Sequence, residues 1–531
     1  MSPEHVVIEG SHRKALPGAK AIGRVNPNIE VEVTIKLRRK TPLPALDGRP
    51  VAPLSRAEIA RKYGASQEDM DKVLATFEAF GLTTVASNAA TRSVRVSGPA
   101  ATMERAFLVQ LFNYTHPTGD YRGRVGHVHV PRQVKDIVQG VFGLDNRRVA
   151  NRKKSYASAQ ARHAGVIPAS WYTSAQLAAR YQFPPGDGSG QAVGLLEFGG
   201  GYFESDLQRF CSLAGIPMPT VVTVSTDGTS TSARDGAEGE VMLDVEVVAG
   251  VCPESTLVVY FAEFTEQGWI TAIDAAVQDS DNDPGVLSVS WGYTEDEDIW
   301  TPAAMTAVNE ALQEAALAGM TVCVASGDDG SSDAIMDGRA HVGFPASSPY
   351  VCCVGGTTAK KGSALPDVTW KEGDGLRSDQ HGSSGGGVSA MFPRPTWQSA
   401  VTIQSANHGA LLGRCLPDLS ANADWDAAPY ALLVDGQLQP NGGTSAAAPL
   451  VATLFTRINA GRSRDKRVGY VTPVLYQPVA GGNQPVGLLG CSDVVRGNNI
   501  TAAVGGYSAA AGYDAATGWG TPIGIKLQEL L

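Results

Sequence analysis

The segment Asn441-Gly-Gly-Thr-Ser445-Ala-Ala-Ala-Pro449 carries the plainest chemistry in the chain. Its two glycines permit a tight turn with close backbone approach, and Thr444 or Ser445 can cap the helix that the alanines begin. A serine at a helix start has its hydroxyl beside unpaired N–H groups and the positive end of the dipole, which suits a nucleophile. A second constellation is Asp235-Gly-Ala-Glu-Gly-Glu240-Val-Met-Leu-Asp244-Val-Glu246. On a helix, Glu240 and Asp244 lie four residues apart on one face. Val241, Leu243, Val245, Val247 and Val248 predict that this helix is largely buried. Two buried carboxylates repel if both ionise, so one is expected to hold a proton toward neutral pH. The plainer alternatives are a Ser-capped helix and a solvated acidic face. The length of the Gly-Thr-Ser-Ala-x-x-Pro string favours the chemical reading.

That string resembles the nucleophile segment of subtilisin-like serine peptidases, which take their base from a histidine in an HGTH-type motif. The histidines after residue 165 are His341, His381 and His408, and none has that context. They read as surface or structural residues. The base must therefore be another group, and the carboxyl pair Glu240 and Asp244 is the candidate.

The elements that position these residues follow from periodicity. At 531 residues with 43% hydrophobic and 18% charged side chains, the chain can build several packed cores. Wholesale disorder, a collagen repeat and a membrane-spanning helix are all excluded. The first 18 residues lack the apolar core of a secretory signal peptide. Charge divides unevenly: residues 1–165 carry 26 Lys and Arg against 14 Asp and Glu, and the remainder 17 against 39. Docking of a basic first third on an acidic remainder accounts for this more simply than nucleic-acid binding, because the basic residues are scattered. Residues 31–41 alternate as a strand, Ser55 and Ser66 each open a helix with an acid three residues on, and shorter strands and helices follow. A final helix is expected from Pro131 to Leu144. These elements make a small α+β domain over residues 1–150, followed by a basic, small-residue stretch, 151–167, read as a cleavable linker.

From residue 168 the texture changes. AVGLLEFGG, STLVVYFA, GVLSVSWG, MTVCVASG and YVCCVGG read as buried parallel strands, separated by helical stretches that include both candidate catalytic segments. The expectation is one large α/β domain, doubly wound about a mostly parallel sheet, with its site beyond the carboxyl ends of the strands. Seven cysteines without a CxxC read as small buried hydrophobes, with room for at most one bridge.

With LLEFGGGY, GEVMLDVE, SVSWG, ASGDDGSSD, FPASSPYV, SSGGGVS, PDLSANAD and GGTSAAAP all in order, the chain resembles the sedolisins, or serine-carboxyl peptidases, on their kumamolisin side. The resemblance covers nearly the whole length. It implies a subtilisin-like catalytic fold and makes the first domain a ferredoxin-like activation prodomain that inhibits the enzyme. It implies Ser445 as nucleophile, Glu240 as its general base, Asp244 as the residue that orients Glu240, and Asp328 in SGDDG as an oxyanion-hole acid. Glu197 and Trp291 match positions that extend the carboxyl network. One departure is GDDG where the family more often has GDSG, which sets Asp329 beside Asp328 and puts the acid's proton affinity in question. A carboxyl stabilises an oxyanion only by donating a hydrogen bond, so Asp328 must be protonated and an acidic working pH follows.

Near the C-terminus, Cys491-Ser-Asp493-Val494 and Ala510-Ala-Gly512-Tyr-Asp514 offer oxygen ligands suited to a hard cation. The resemblance implies one structural Ca2+ held by Asp493 and Asp514 side chains and the carbonyls of Val494, Ala510 and Gly512. The function so implied is an acid-acting endopeptidase made as an autoprocessed zymogen. The alternatives are a tripeptidyl-peptidase on the same scaffold, or an inactive binding homologue. Peptide or protein substrates and the chain's own prodomain are the expected partners, with no nucleic acid and no membrane, and a monomer is expected. Acid chemistry points to action outside the cell, although no export signal is visible.

Overall fold

The computed structural model describes residues 4–46, 48, 52–149, 165–296, 298–363, 366–379, 381–502 and 504–531. Most of the expected linker, residues 151–164, lies outside them. In the first domain, Glu30–Leu37 alternates as its sequence predicts: Val31, Val33, Ile35 and Leu37 face one way into a core. Helices Gln67–Glu78 and Ala100–Phe107 cover that face with Met70, Val73, Phe77, Met103 and Phe107. The sheet is antiparallel, in the order Thr83–Asn88, Ser93–Pro99, Glu30–Leu37, Val138–Phe142. With helices between the first and second strands and between the third and fourth, this is the ferredoxin-like arrangement. At Ser55 the capping box is complete: its hydroxyl accepts from the Glu58 N–H, and Glu58 returns the bond to the Ser55 N–H.

One expectation is corrected. Pro131 to Leu144 is not a helix but a short 3-10 turn, Arg132–Val134, followed by the strand Val138–Phe142. Gly140 weakens any helix there, β-branched Val138 and Val141 favour a strand, and the exposed edge of Glu30–Leu37 supplies a ladder to complete.

The second domain is built on an eight-stranded sheet ordered Thr220–Ser225, Thr256–Phe261, Ala192–Glu197, Val286–Val289, Thr321–Ala325, Cys352–Thr358, Val368–Thr369. Leu419–Asn422 also pairs with Cys352–Thr358, and only the Val368–Thr369 pairing is antiparallel. Both faces are buried, as near-continuous apolar strands require. Val193, Leu195, Leu257 and Val259 point to one core, with helices Glu238–Val251 and Thr444–Asn459. Leu196, Val258, Tyr260, Val322 and Val324 point to the other, with helices Glu266–Gln278 and Pro302–Leu317. All seven cysteines are buried and unbridged.

The face of the prodomain sheet left uncovered by its own helices lies on Glu266–Gln278 and Pro302–Leu317. Lys36 meets Asp274 (2.6 Å), Arg13 meets Glu266 (3.0 Å), Arg39 meets Glu310 (2.9 Å) and Glu314 (2.5 Å), and Arg92 meets Glu310 (3.0 Å). The Gln267 amide donates to Thr34 Oγ1 (3.0 Å). The ion pairs all set a first-domain cation on a second-domain acid, the sense of the charge asymmetry in the sequence. Beyond the sheet, the Val149 N–H donates to the Phe264 carbonyl (3.2 Å), and buried Val149 joins the core cluster of Phe198, Phe264 and Trp291.

Candidate active site

Ser445 is the second residue of the helix Thr444–Asn459, whose cap is Gly443 at φ 87°. That angle favours glycine, and a Cβ at Gly443 would lie 3.0 Å from Asp328 Oδ2. The glycine therefore lets the carboxyl of Asp328 come up against the nucleophile turn. Asp328 follows the strand Thr321–Ala325, reached through Ser326 and Gly327. Its Oδ1 accepts from the Thr444 N–H (2.8 Å) and the Thr444 hydroxyl (2.6 Å). The Thr444 hydroxyl also lies 3.1 Å from the Gly327 carbonyl, so its one proton has two acceptors.

Pro449 lies four residues after Ser445 and has no N–H, so the Ser445 carbonyl loses its helical donor. The Ser290 hydroxyl takes that place, at 3.0 Å. The same hydroxyl is 2.8 Å from Asp244 Oδ1, while the Ser445 hydroxyl donates to the Ser290 carbonyl (3.3 Å). Ser290 has one proton for two acceptors. All the contacts are satisfied together when Asp244 is protonated and donates to Ser290, which in turn donates to the Ser445 carbonyl.

Helix Glu238–Val251 is buried except at Gly239 and carries Glu240 and Asp244, with Asp244 against Ser290. Ser445, Glu240 and Asp244 are 2%, 4% and 0% exposed. The carboxyl network continues to Glu197, at the end of the strand Ala192–Glu197, where Trp291 Nε1 donates to Oε2 (2.9 Å). Burial pushes the Glu197 carboxyl well above its ordinary range; the Trp291 bond opposes this, and the neighbouring charge of Glu240 adds to it.

Asp329 does not compete with Asp328. Its carboxylate accepts from Arg377 Nε (2.6 Å) and from the Arg377 N–H (2.9 Å). His381 and His408 are exposed, and His341 lies between Asp296 (3.2 Å) and Asp337 (2.9 Å). Burial pulls the His341 imidazole down, but the two carboxylates outweigh it and hold its pKa up at about 9.

At the other candidate site, the turn Ala510–Asp514 draws both acids together. The Gly512 N–H donates to Asp493 Oδ2 (2.8 Å), and the Ala510 N–H to Asp514 Oδ2 (3.0 Å). Asp493 Oδ1 is buried without a hydrogen-bond partner. Burial raises the Asp514 carboxyl, against the N–H donors of Ala510, Ala516 and Thr517. Among the described residues no group of three or more His, Cys, Asp or Glu could hold a metal, so an ion here would rest on two carboxylates and carbonyls. An orphaned carboxylate oxygen fits that donor set.

Sequence reasoning named Ser445, Glu240, Asp244, Asp328, Glu197 and Trp291; the fold links Asp244 to Ser445 through Ser290, sets Asp328 against Thr444, and joins Trp291 to Glu197 within reach of the charge of Glu240. That reasoning did not find Ser290 or Arg377, and it read Thr444 only as a possible helix cap, a place that Gly443 takes. Ser290 had a signal available, as the hydroxyl residue immediately before Trp291 at the end of the buried strand Val286–Val289.

Residues 17–147 match the family described as Pro-kumamolisin, activation domain, and residues 222–468 the one described as the subtilase family. Kumamolisin of Bacillus sp. (strain MN-32) is 40% identical, the match covering 99% of this chain and 96% of that protein. Tripeptidyl-peptidase sed5 of Aspergillus fumigatus is 28% identical over 88% of each. The structure of Pseudomonas sedolisin, a serine-carboxyl proteinase complexed with two molecules of pseudo-iodotyrostatin, aligns at a TM-score of 0.56 with 29% identity, covering 68% of this chain and 98% of that one. With such identity over almost its full length, and an activation domain ahead of a subtilase-type domain, the chain belongs to the sedolisin family of serine-carboxyl peptidases, on its kumamolisin side.

Proposed function

We propose that the protein is an acid-acting endopeptidase, made as a zymogen, with Ser445 as nucleophile and Glu240 as its general base. Glu240 takes the Ser445 proton as the hydroxyl attacks a peptide carbonyl. Asp244 orients Glu240, and its contact with Ser290 ties that carboxyl to the nucleophile helix. Glu197 and Trp291 keep a proton in the network beside Glu240. Protonated Asp328 donates to the oxyanion, a role worth about 10²–10³ in turnover in comparable holes. The observation that carries this reading is the anchoring of Asp328 Oδ1 on Thr444, the residue next to Ser445. Four intact side chains in place weigh against an inactive binding homologue.

The domain division we infer is a prodomain over 1–150, a cleaved stretch within 151–167, and a catalytic domain from 168. The prodomain acts as an intramolecular inhibitor; its matched activation domain and its ion-paired docking face support this. One calcium ion at Asp493 and Asp514, with the carbonyls of Val494, Ala510 and Gly512, would neutralise two acids and hold the C-terminal turn. It takes no part in the reaction.

The test is incubation of the purified chain at acid and neutral pH, followed by N-terminal sequencing. Wild type should lose about 165 residues in acid alone, through the basic linker. Ser445→Ala should stay full length and lose about 10⁴-fold or more in peptide hydrolysis. Cleavage of peptides with a blocked N-terminus supports endopeptidase action; hydrolysis confined to free N-termini in steps of three residues would instead establish the tripeptidyl mode favoured by the likeness to sed5.

A further inference from the structure

The segment Gly327–Gly330, which carries Asp328, is clamped along one side. The Ser383 N–H donates to the Asp328 carbonyl (3.0 Å), the Gly330 N–H to the Ser383 carbonyl (3.2 Å), and the Gly385 N–H to the Gly327 carbonyl (2.8 Å). At its middle, the Asp329 side chain is 3% exposed and engages Arg377, 13% exposed, through Nε, Nη2 and the backbone N–H. Arg377 is thereby held within the electrostatic reach of Asp328 as well as of Asp329 and Asp333. Burial disfavours its charge, yet the neighbouring acids, with Asp329 in direct contact, outweigh burial and keep it cationic.

A cation at that position is a liability for the proposed chemistry. An opposite charge nearby favours the ionised form of a carboxyl, and an ionised Asp328 cannot donate to an oxyanion. Two acids of the Asp328 loop act on Arg377: Asp329, which is ion-paired with it, and Asp333. The start of the nucleophile helix brings the uncharged Gly443, Thr444 and Ser445, and Ser383–Gly385 is uncharged. Lys371, on the same segment as Arg377, is engaged by the Ile500 carbonyl (2.5 Å). Glu240 and Asp244 stand beyond Ser445 on their own helix.

We propose that Asp329 and Arg377 form a charge-compensating pair that positions the oxyanion loop and lets Asp328 keep the proton it donates. The acid that stands in place of the family's usual serine thus cancels the arginine that fastens the loop. This rests on the reading of Asp328 as the oxyanion acid, and the two make separable claims.

The experiment is the pH dependence of kcat/KM for acid-matured enzyme, with precursor melting temperature as a check on folding. Asp329→Asn leaves Arg377 uncompensated, so the alkaline limb should move to lower pH by about one unit. Arg377→Met leaves Asp329 as an uncompensated anion, so the limb should move to higher pH by a similar amount. The double variant should return to within a few tenths of wild type. Arg377→Lys, which keeps the charge but not the fork, should leave the limb in place and provides the arginine test if the methionine variant does not mature. Shifts of one sign in both single variants, or no shift in folded enzyme, would overturn the proposal. In an Asp328→Asn background both shifts should vanish, and shifts of undiminished size there would equally overturn it. A wild-type rate and profile for Asp328→Asn itself would instead remove Asp328 from the oxyanion role.

Discussion

The Lys36 ammonium of the prodomain lies 2.6 Å from Asp274 Oδ2 of the catalytic domain, with 2% and 10% of the two side chains exposed. Burial, above all, pulls the Lys36 pKa down, and the charge of Asp274 works against that pull. Loss of the Asp274 charge leaves the Lys36 ammonium buried without a counter-charge, which weakens docking.

Asp274→Asn in the Ser445→Ala precursor should mimic that loss at neutral pH. Removing one partner of a buried pair costs about 3–5 kcal/mol. The precursor should therefore become sensitive to an added protease at a higher pH than its parent. Lys36→Met added to Asp274→Asn should recover most of the resistance, because an apolar group then fills the site. Equal resistance of parent and Asp274→Asn across all pH values would show that this pair does not hold the prodomain.

Ser290→Ala removes the donor to the Ser445 carbonyl and the contact with Asp244. One hydrogen bond of ordinary worth, about 1–1.5 kcal/mol, corresponds to a roughly tenfold fall in kcat with little change in KM. Pro449→Ala restores a helical N–H to that carbonyl, so Ser290→Ala with Pro449→Ala should regain part of the loss. Unchanged kcat in Ser290→Ala would remove Ser290 from the site's support.

His341 should affect stability at high pH rather than catalysis. Its folded pKa is raised to about 9, so the stability it contributes is fully present below the ordinary histidine value near ~6.5 and is lost as pH rises through about 9. Melting temperature measured against pH should fall over that window in wild type, and less in His341→Gln. Peptide hydrolysis by His341→Gln in acid should stay close to wild type; its abolition in a folded variant would restore a histidine to the mechanism.

Calcium should raise the melting temperature of the mature domain. A ligand that binds only the native state adds about 2.7 kcal/mol at a hundredfold excess over Kd. Chelator should lower the melting temperature and Asp514→Ala should abolish that response. A melting curve indifferent to chelator counts against the site.

Much of this protein is written in local patterns. Alternation in Glu30–Leu37, the apolar runs of the central strands and the Ser55 capping box are set by neighbours a few residues apart, and they fold as they read. Ser445 at a helix start, and Glu240 four residues before Asp244 on a buried helix, follow from the same short-range rules. Tertiary structure decided what those rules cannot reach. Val138–Phe142 becomes a strand because a distant edge needed a partner. Ser290 meets Ser445 across 155 positions of sequence, and Arg377 meets Asp329 across 48. Gly443 is held to glycine both by its φ of 87° and by Asp328 folded against it. Side-chain chemistry is carried by residue type, but which charge cancels which, and which hydroxyl replaces a missing N–H, depends on chain segments that meet only when the core closes.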